Sequence, residues 1–172
     1  HFTVLFLPWL KHVPQLEAYQ LTNGSPQYCW LTNDLATSTK PWKFVFLHIG
    51  LADSGYHRLD DDNNNGISDY LELQEWLLPV IQRYGVQIMF HGHNHNYERS
   101  NPMRGVYEIT TGGGGGRLPN YGFVDGRSPV SSQFYLASEF VRVAVQGDSL
   151  LLQAIGTNGG VFDSMTIQRR PP

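Results

Sequence analysis

Two short apolar runs, Lys43-Phe44-Val45-Phe46-Leu47 and Val86-Gln87-Ile88-Met89-Phe90, each lead into histidines, and one stretch of helical periodicity separates them. Aromatic and β-branched residues dominate the first run, and Gly85 and Gly92 bracket the second, so both are predicted to be short buried strands. Between them Leu73, Leu77, Val80, Ile81 and Tyr84 recur at helical spacing, which predicts a helix from about Asp69 to Tyr84. Asp69 and Glu72 read as its capping pair and Gly85 as its stop, while Pro79 is expected to kink it by removing the bond to the Glu75 carbonyl. Strand, helix and strand joined in this way close as a right-handed parallel crossover, which makes the chain an α/β fold. Both strands then end at one edge of a sheet, where open α/β sheets bind their ligands.

The residues at those strand ends are His48 and the segment Gly92-His93-Asn94-His95-Asn96-Tyr97-Glu98-Arg99. Histidines at i and i+2 can address one small volume if the backbone turns sharply between them. Neutral imidazole nitrogens ligate zinc, iron and related metals, so His48, His93 and His95 are the candidate metal ligands. The plainer alternative is a polar loop rich in Asn and His. The preceding glycine and the partner histidine at position 48 weigh against it.

With these motifs the chain resembles the C-terminal half of a calcineurin-like metallophosphoesterase, closest to the purple acid phosphatase branch. Gly24-Ser25-Pro26-Gln27-Tyr28-Cys29-Trp30-Leu31 is similar to that family's glycine-serine-x-glutamine stretch opening a helix. Gly92-His93-Asn94-His95 matches its Gly-His-x-His motif, Tyr97-Glu98-Arg99 the continuation in the purple acid branch, and Ile109 to Gly114 the following strand and glycine turn. The resemblance implies half of a four-layer α/β/β/α sandwich with mixed sheets. It assigns His48 and His93 to one metal ion and His95 to a second, the pair being divalent or trivalent Fe, Zn or Mn. It further implies hydrolysis of a small phosphate ester through a dinuclear metal-activated hydroxide. His57, nine residues after His48, falls where the family often carries a proton-donating or substrate-contacting histidine; a solvated loop histidine is the equal alternative.

The chain also departs from that pattern. Family members usually read His-His-Pro-x-Tyr at the metal histidine, whereas this chain reads His48-Ile49-Gly50-Leu51-Ala52. The oxygen ligands and Asn-His-Glu motif of the family's first half have no counterpart here. Residues 1–172 are therefore expected to form a partial domain whose N-terminal metal-binding half lies upstream, inactive as a phosphatase alone. A second constellation runs from Asp61 to Glu72. Asp61, Asn63, Asn65, Ile67 (by its carbonyl), Asp69 and Glu72 occupy the ligand positions of a twelve-residue calcium loop, with Gly66 at the sharp turn. Residues 60–72 are thus a candidate calcium-binding insertion; the alternative is an acidic turn that merely caps the helix.

Composition limits the remaining choices. A length of 172 residues with 41% hydrophobic content suits one domain with a real core. A net charge of -3 without a basic block argues against a nucleic-acid partner, and no apolar stretch approaches the ~18 residues that span a bilayer. Cys29 is the only cysteine, expected in the core of the helix bearing Trp30. Ser25-Pro26 reads as N-cap and first turn of that helix, with Tyr28, Leu31 and Leu35 buried. The glycine run 112–116 reads as a turn rather than a phosphate cradle, and 119–129 as a long loop. Residues 140–145 and 150–155 read as a hairpin about Gly147-Asp148, with a last strand near 162–167. The family branch and the calcium-like loop both point to an extracytoplasmic or secreted setting. The reading that competes with a hydrolase is a non-catalytic extracellular interaction module that binds a metal or calcium.

Overall fold

The computed structural model of the protein describes residues 1–6, 21, 23–61, 66–120 and 127–169. Strands β1 (Phe2–Val4), β2 (Phe44–Phe46), β3 (Ile88–His91), β4 (Tyr97–Ser100), β5 (Tyr107–Thr111) and β6 (Ser131–Tyr135) form one sheet in the order β1-β2-β3-β5-β4-β6. β1, β2, β3 and β5 pair in parallel, and β4 lies antiparallel between β5 and β6. The β2–β3 register runs from Phe44 opposite Ile88 to Phe46 opposite Phe90, so His48 and the residues after His91 leave the sheet side by side. Strands β7 (Glu139–Gln146), β8 (Ser149–Gly156) and β9 (Val161–Gln168) form a separate antiparallel sheet. The first pair is the expected hairpin, turning at Gly147, whose φ of 57° suits glycine.

Alternation along β2 and β3 explains the layering. Val45 and Met89 point to one face, where they are covered by Leu31 and Leu35 of helix α1 (Pro26–Thr37), Leu73 of α2 (Asp69–Trp76), and Val80 and Ile81 of α3 (Leu78–Arg83). Phe44, Ile88 and Phe90 point to the other face and meet Leu150, Leu152 and Ala154 of β8. Three layers of the expected four, α/β/β, are therefore built by the described residues. The outer face of the small sheet carries Phe140 and Val161, about half exposed at 57% and 48%.

Ser25 caps α1, its hydroxyl accepting from the Tyr28 amide at 3.2 Å, and Pro26 stands in the first turn. Cys29 is exposed and Trp30 is half exposed, contrary to the expectation of a core cysteine. The buried stripe passes through Leu31 and Leu35, and residues 29 and 30 fall outside it. The single helix expected over 69–84 is two helices, broken at Leu77. Pro79 sits in the first turn of α3, and Leu77 between the two helices keeps a right-handed helical backbone, its amide donating to the Leu73 carbonyl at 2.8 Å. Ser68, rather than Asp69, occupies the N-cap position, and Asp69 and Glu72 lie in the first turn, where carboxylates favour the helix dipole. The strand expected over 1–7 is realised as Phe2–Val4; Leu7, and residues 121–126 of the expected long loop, lie outside the described residues.

Polar ties join the two sheets, at Thr111 with Glu139 and, more extensively, at Asp163. Asp163 of β9 accepts from the Tyr97 hydroxyl and from Arg99 Nε, each at 2.7 Å, and from Arg99 Nη2 at 3.0 Å. Burial would raise the Asp163 carboxyl, but the Arg99 and Tyr97 hydrogen bonds outweigh it and hold the group below its ordinary value. Asp163→Ala leaves a partly buried guanidinium and a buried phenol without this partner, so equilibrium denaturation should show a loss of about 3 kcal/mol. Unchanged stability would mean that the tie contributes nothing.

Candidate metal centre

β3 ends at His91, and the chain then turns hard. The Asn94 amide donates to the Gly92 carbonyl at 2.8 Å, and His93 takes a φ of 65°, a left-handed conformation uncommon for any residue but glycine. This is the sharp turn that a His-x-His pair needs in order to address one volume. His93 is buried at 7% exposure, and its Nδ1 lies 3.2 Å from Nε2 of His48. Burial, opposed by the hydrogen bond to Asp60, lowers His93 to about 4; burial, with His57 and His95 nearby, lowers His48 as well. Both imidazoles are thus neutral near pH 7, the form that binds metals.

His57 stands in a one-turn 3-10 helix, Tyr56–Leu59, whose position is set by its amide donating to Asn94 Oδ1 at 3.0 Å. Asp60 follows immediately. Its Oδ2 is 2.8 Å from His57 Nδ1 and 3.3 Å from His93 Nε2, so His57, Asp60 and His93 form a group able to hold a metal ion. Asp60 was not among the residues singled out from the sequence. Its only sequence signal is a carboxylate three residues after a candidate functional histidine. His95 is exposed and stands outside this group, with Nδ1 2.9 Å from the Arg117 carbonyl. It shares with His57 and His93 the wall of a pocket of about 360 Å³, completed by Tyr56, Arg117 and Leu136 among others. The structure therefore joins His48, His57 and His93 directly and places His95 on the adjoining surface. The glycine run closes against this loop, and a Cβ at Gly116 would overlap the His95 ring.

Behind the histidines lies a buried polar shelf that sequence reading did not find. Glu108 of β5 accepts through Oε1 from the amides of Leu51 and Ala52, and its Oε2 has no hydrogen-bond partner among the described residues. Glu98 of β4 takes the Ser54 amide at 2.7 Å and the Ser54 hydroxyl at 2.6 Å. Asp53 accepts from Thr110 Oγ1 at 2.7 Å and from the Gly55 amide. Together these three carboxyls hold the segment 51–55, and with it the approach to His57. His91 lies 3.2 Å from Glu108, yet burial lowers His91 to about 3 and raises Glu108 well above the usual range. Burial thus works against charge on both groups. Gly50 is explained here, because a Cβ would overlap Glu108 Oε1 and the His91 ring.

The candidate calcium loop is described only in part, since Asn63 and Asn65 lie outside the described residues. Asp61 Oδ2 accepts from the Gly66 amide at 2.7 Å, and Asp69 and Glu72 stand at the start of α2.

Asp53 gives a pH prediction. Burial first, and the neighbouring Glu98 second, raise it to about 7 in the fold. The native state therefore holds a proton that the unfolded chain releases near pH 4, and Asp53 makes stability fall as pH rises from about 4 to 7. Asp53→Asn should make the slope of unfolding free energy against pH less negative across that window. An unchanged slope would show that Asp53 ionises normally.

Among known proteins, no family model matches the chain. It is 27% identical over 168 residues to probable inactive purple acid phosphatase 24 of Arabidopsis thaliana, covering 85% of this chain and 26% of that protein. A nucleotide pyrophosphatase/phosphodiesterase of Hordeum vulgare is 29% identical over 168 residues, covering 85% of this chain and 44% of that one. The structure of purple acid phosphatase PPD1 from yellow lupin (Lupinus luteus) seeds superposes with a TM-score of 0.73 and 26% identity, over 98% of this chain and 31% of that chain. GAP50 of Plasmodium, at 17% identity and a TM-score of 0.77 over 99% of this chain and 49% of that chain, shares the fold. The chain spans less than half the length of these curated relatives.

Proposed function

This chain is a homologue of the purple acid phosphatases within the calcineurin-like metallophosphoesterases, and from that premise we propose that it supplies the histidine side of a metal centre that hydrolyses phosphate esters. The observation that carries the reading is the convergence of His48 Nε2 and His93 Nδ1 to 3.2 Å at the ends of two adjacent parallel strands. Their donor chemistry suits zinc, iron or manganese. His48 and His93 would hold one ion, and His95 would reach a second. A bound dication lowers the pKa of water to about 7 and offsets charge on a transferring phosphoryl group. The chain's own residues do the rest. His57, on the pocket wall and oriented through Nδ1, is the candidate proton donor to the leaving oxygen. Arg117 offers a positive charge to the ester, and Tyr56 and Leu136 offer apolar surface to its organic group.

Histidines alone do not complete a dinuclear site, since oxygen ligands ordinarily hold such a pair together. We therefore assign those ligands to an N-terminal half of the same domain, with which this chain would assemble, in an extracytoplasmic setting. The competing reading, a non-catalytic module that binds a metal or calcium, draws support from Gly50 and from the relatives named as probably inactive.

The test is metal-dependent hydrolysis of an aryl phosphate. The purified 172-residue chain is expected to bind zinc and turn over nothing. A protein carrying the upstream half as well is expected to be active and to fall to background on His93→Ala. Turnover by the short chain would refute the division of ligands. Inactivity of the longer protein with zinc bound would favour the non-catalytic module.

A further inference from the structure

His93 presents two nitrogens to two different partners. Its Nδ1 faces His48, and its Nε2 faces Asp60 Oδ2 at 3.3 Å. A neutral imidazole carries one N–H and one lone pair, and an ionised carboxylate can only accept. Asp60 therefore selects the tautomer with the proton on Nε2, which leaves the Nδ1 lone pair directed at the site shared with His48. The same oxygen accepts from His57 Nδ1 at 2.8 Å, which leaves Nε2 of His57 as its basic nitrogen. One carboxylate oxygen thus sets the tautomer of a metal ligand and of the candidate proton donor together.

The geometry points to Asp60 as the positioning residue of this centre: a carboxylate that does not bind the metal, but makes His93 a ligand through Nδ1 and leaves Nε2 of His57 as the nitrogen that takes up and gives the proton. This rests on the metal reading above and extends it to a residue contributed by a different segment. The placement of Asp60 is determined from both sides. Its amide donates to the His57 carbonyl at 3.0 Å, and its carbonyl accepts from the Asp69 amide at 2.8 Å, which ties the end of the 3-10 turn to the start of α2. The His57 and His93 rings sit 4.2 Å apart between centroids, so a shift of Asp60 would move both. Metal-ligating histidines ordinarily give their second N–H to such a carboxylate, and loss of that partner typically lowers metal affinity roughly 10- to 100-fold.

The experiment is long-range 15N–1H NMR of the histidine rings in the metal-free protein, followed by titration with Zn2+. Wild-type His93 is expected as the Nε2–H tautomer and is expected to shift at Nδ1 on adding zinc. In Asp60→Ala the Nδ1–H tautomer should appear and the zinc Kd should rise roughly 10- to 100-fold. Asp60→Asn keeps an acceptor oxygen and should recover part of both effects. A wild-type His93 protonated on Nδ1 overturns the inference, as does a tautomer unchanged in Asp60→Ala. Zinc bound at Nε2 of His93 also overturns it, since Asp60 would then be a ligand. If zinc moves no histidine resonance, the metal reading fails, while the metal-free tautomer still decides the role of Asp60. Should Asp60→Ala not fold, the wild-type tautomer and Asp60→Asn decide alone.

Discussion

The parallel pairing of β2 with β3 sets where His48 and His93 leave the sheet. Because Phe44 to Phe46 run in register with Ile88 to Phe90, the two strands finish level, and His48 and His93 start from neighbouring points. A slip of one residue would turn Val45 and Met89 away from the helices and Phe44, Ile88 and Phe90 away from the second sheet. The register is therefore enforced by both cores at once, and the histidine pair inherits its precision from apolar packing. The left-handed backbone at His93 then redirects a ring that a regular strand would have carried past the site.

Behind the pair, the protein buries charge-bearing groups that an apolar core would avoid. Glu98, Glu108 and Asp53 are each at most 3% exposed, and each accepts backbone or hydroxyl donors from the loop after β2. Burial of this kind is unfavourable unless the groups are hydrogen-bonded or neutral, and here both conditions operate. The return is a loop fixed along its whole length, because its amides are anchored to β4 and β5 instead of to water. Gly50 belongs to the same economy of space: the Glu108 and His91 side chains occupy the volume where any Cβ would stand. The change at this position relative to the family pattern is thus a packing choice as well as a change at the rim of the site.

What could be read from the sequence followed from periodicity and local chemistry. The alternation in β7 and β8, the Ser25-Pro26 helix start and the strand–helix–strand frame are all determined within a few residues, and the structure has them. His48 and His93 were legible because strand ends next to histidines have one simple topology. The break at Leu77 was harder, since Pro79 in a helical pattern permits a kink or a restart, and the choice rests on tertiary packing. Cys29 was misplaced because the general tendency of cysteine to be buried was set above helical position, which turns it to the side opposite Leu31 and Leu35. The contact of Asp60 with His93 and those of Glu98 and Glu108 with the loop were not legible, because those partners lie 33 to 57 residues away and no local pattern encodes those distances.

We propose that a metal ion sits between two imidazoles brought together by adjacent parallel strands. Anomalous diffraction at the zinc edge, from crystals grown with zinc, tests it most directly. A peak is expected about 2.0–2.1 Å from both His48 Nε2 and His93 Nδ1. Zinc ordered only elsewhere, with those two nitrogens still facing each other at hydrogen-bond distance, would contradict it.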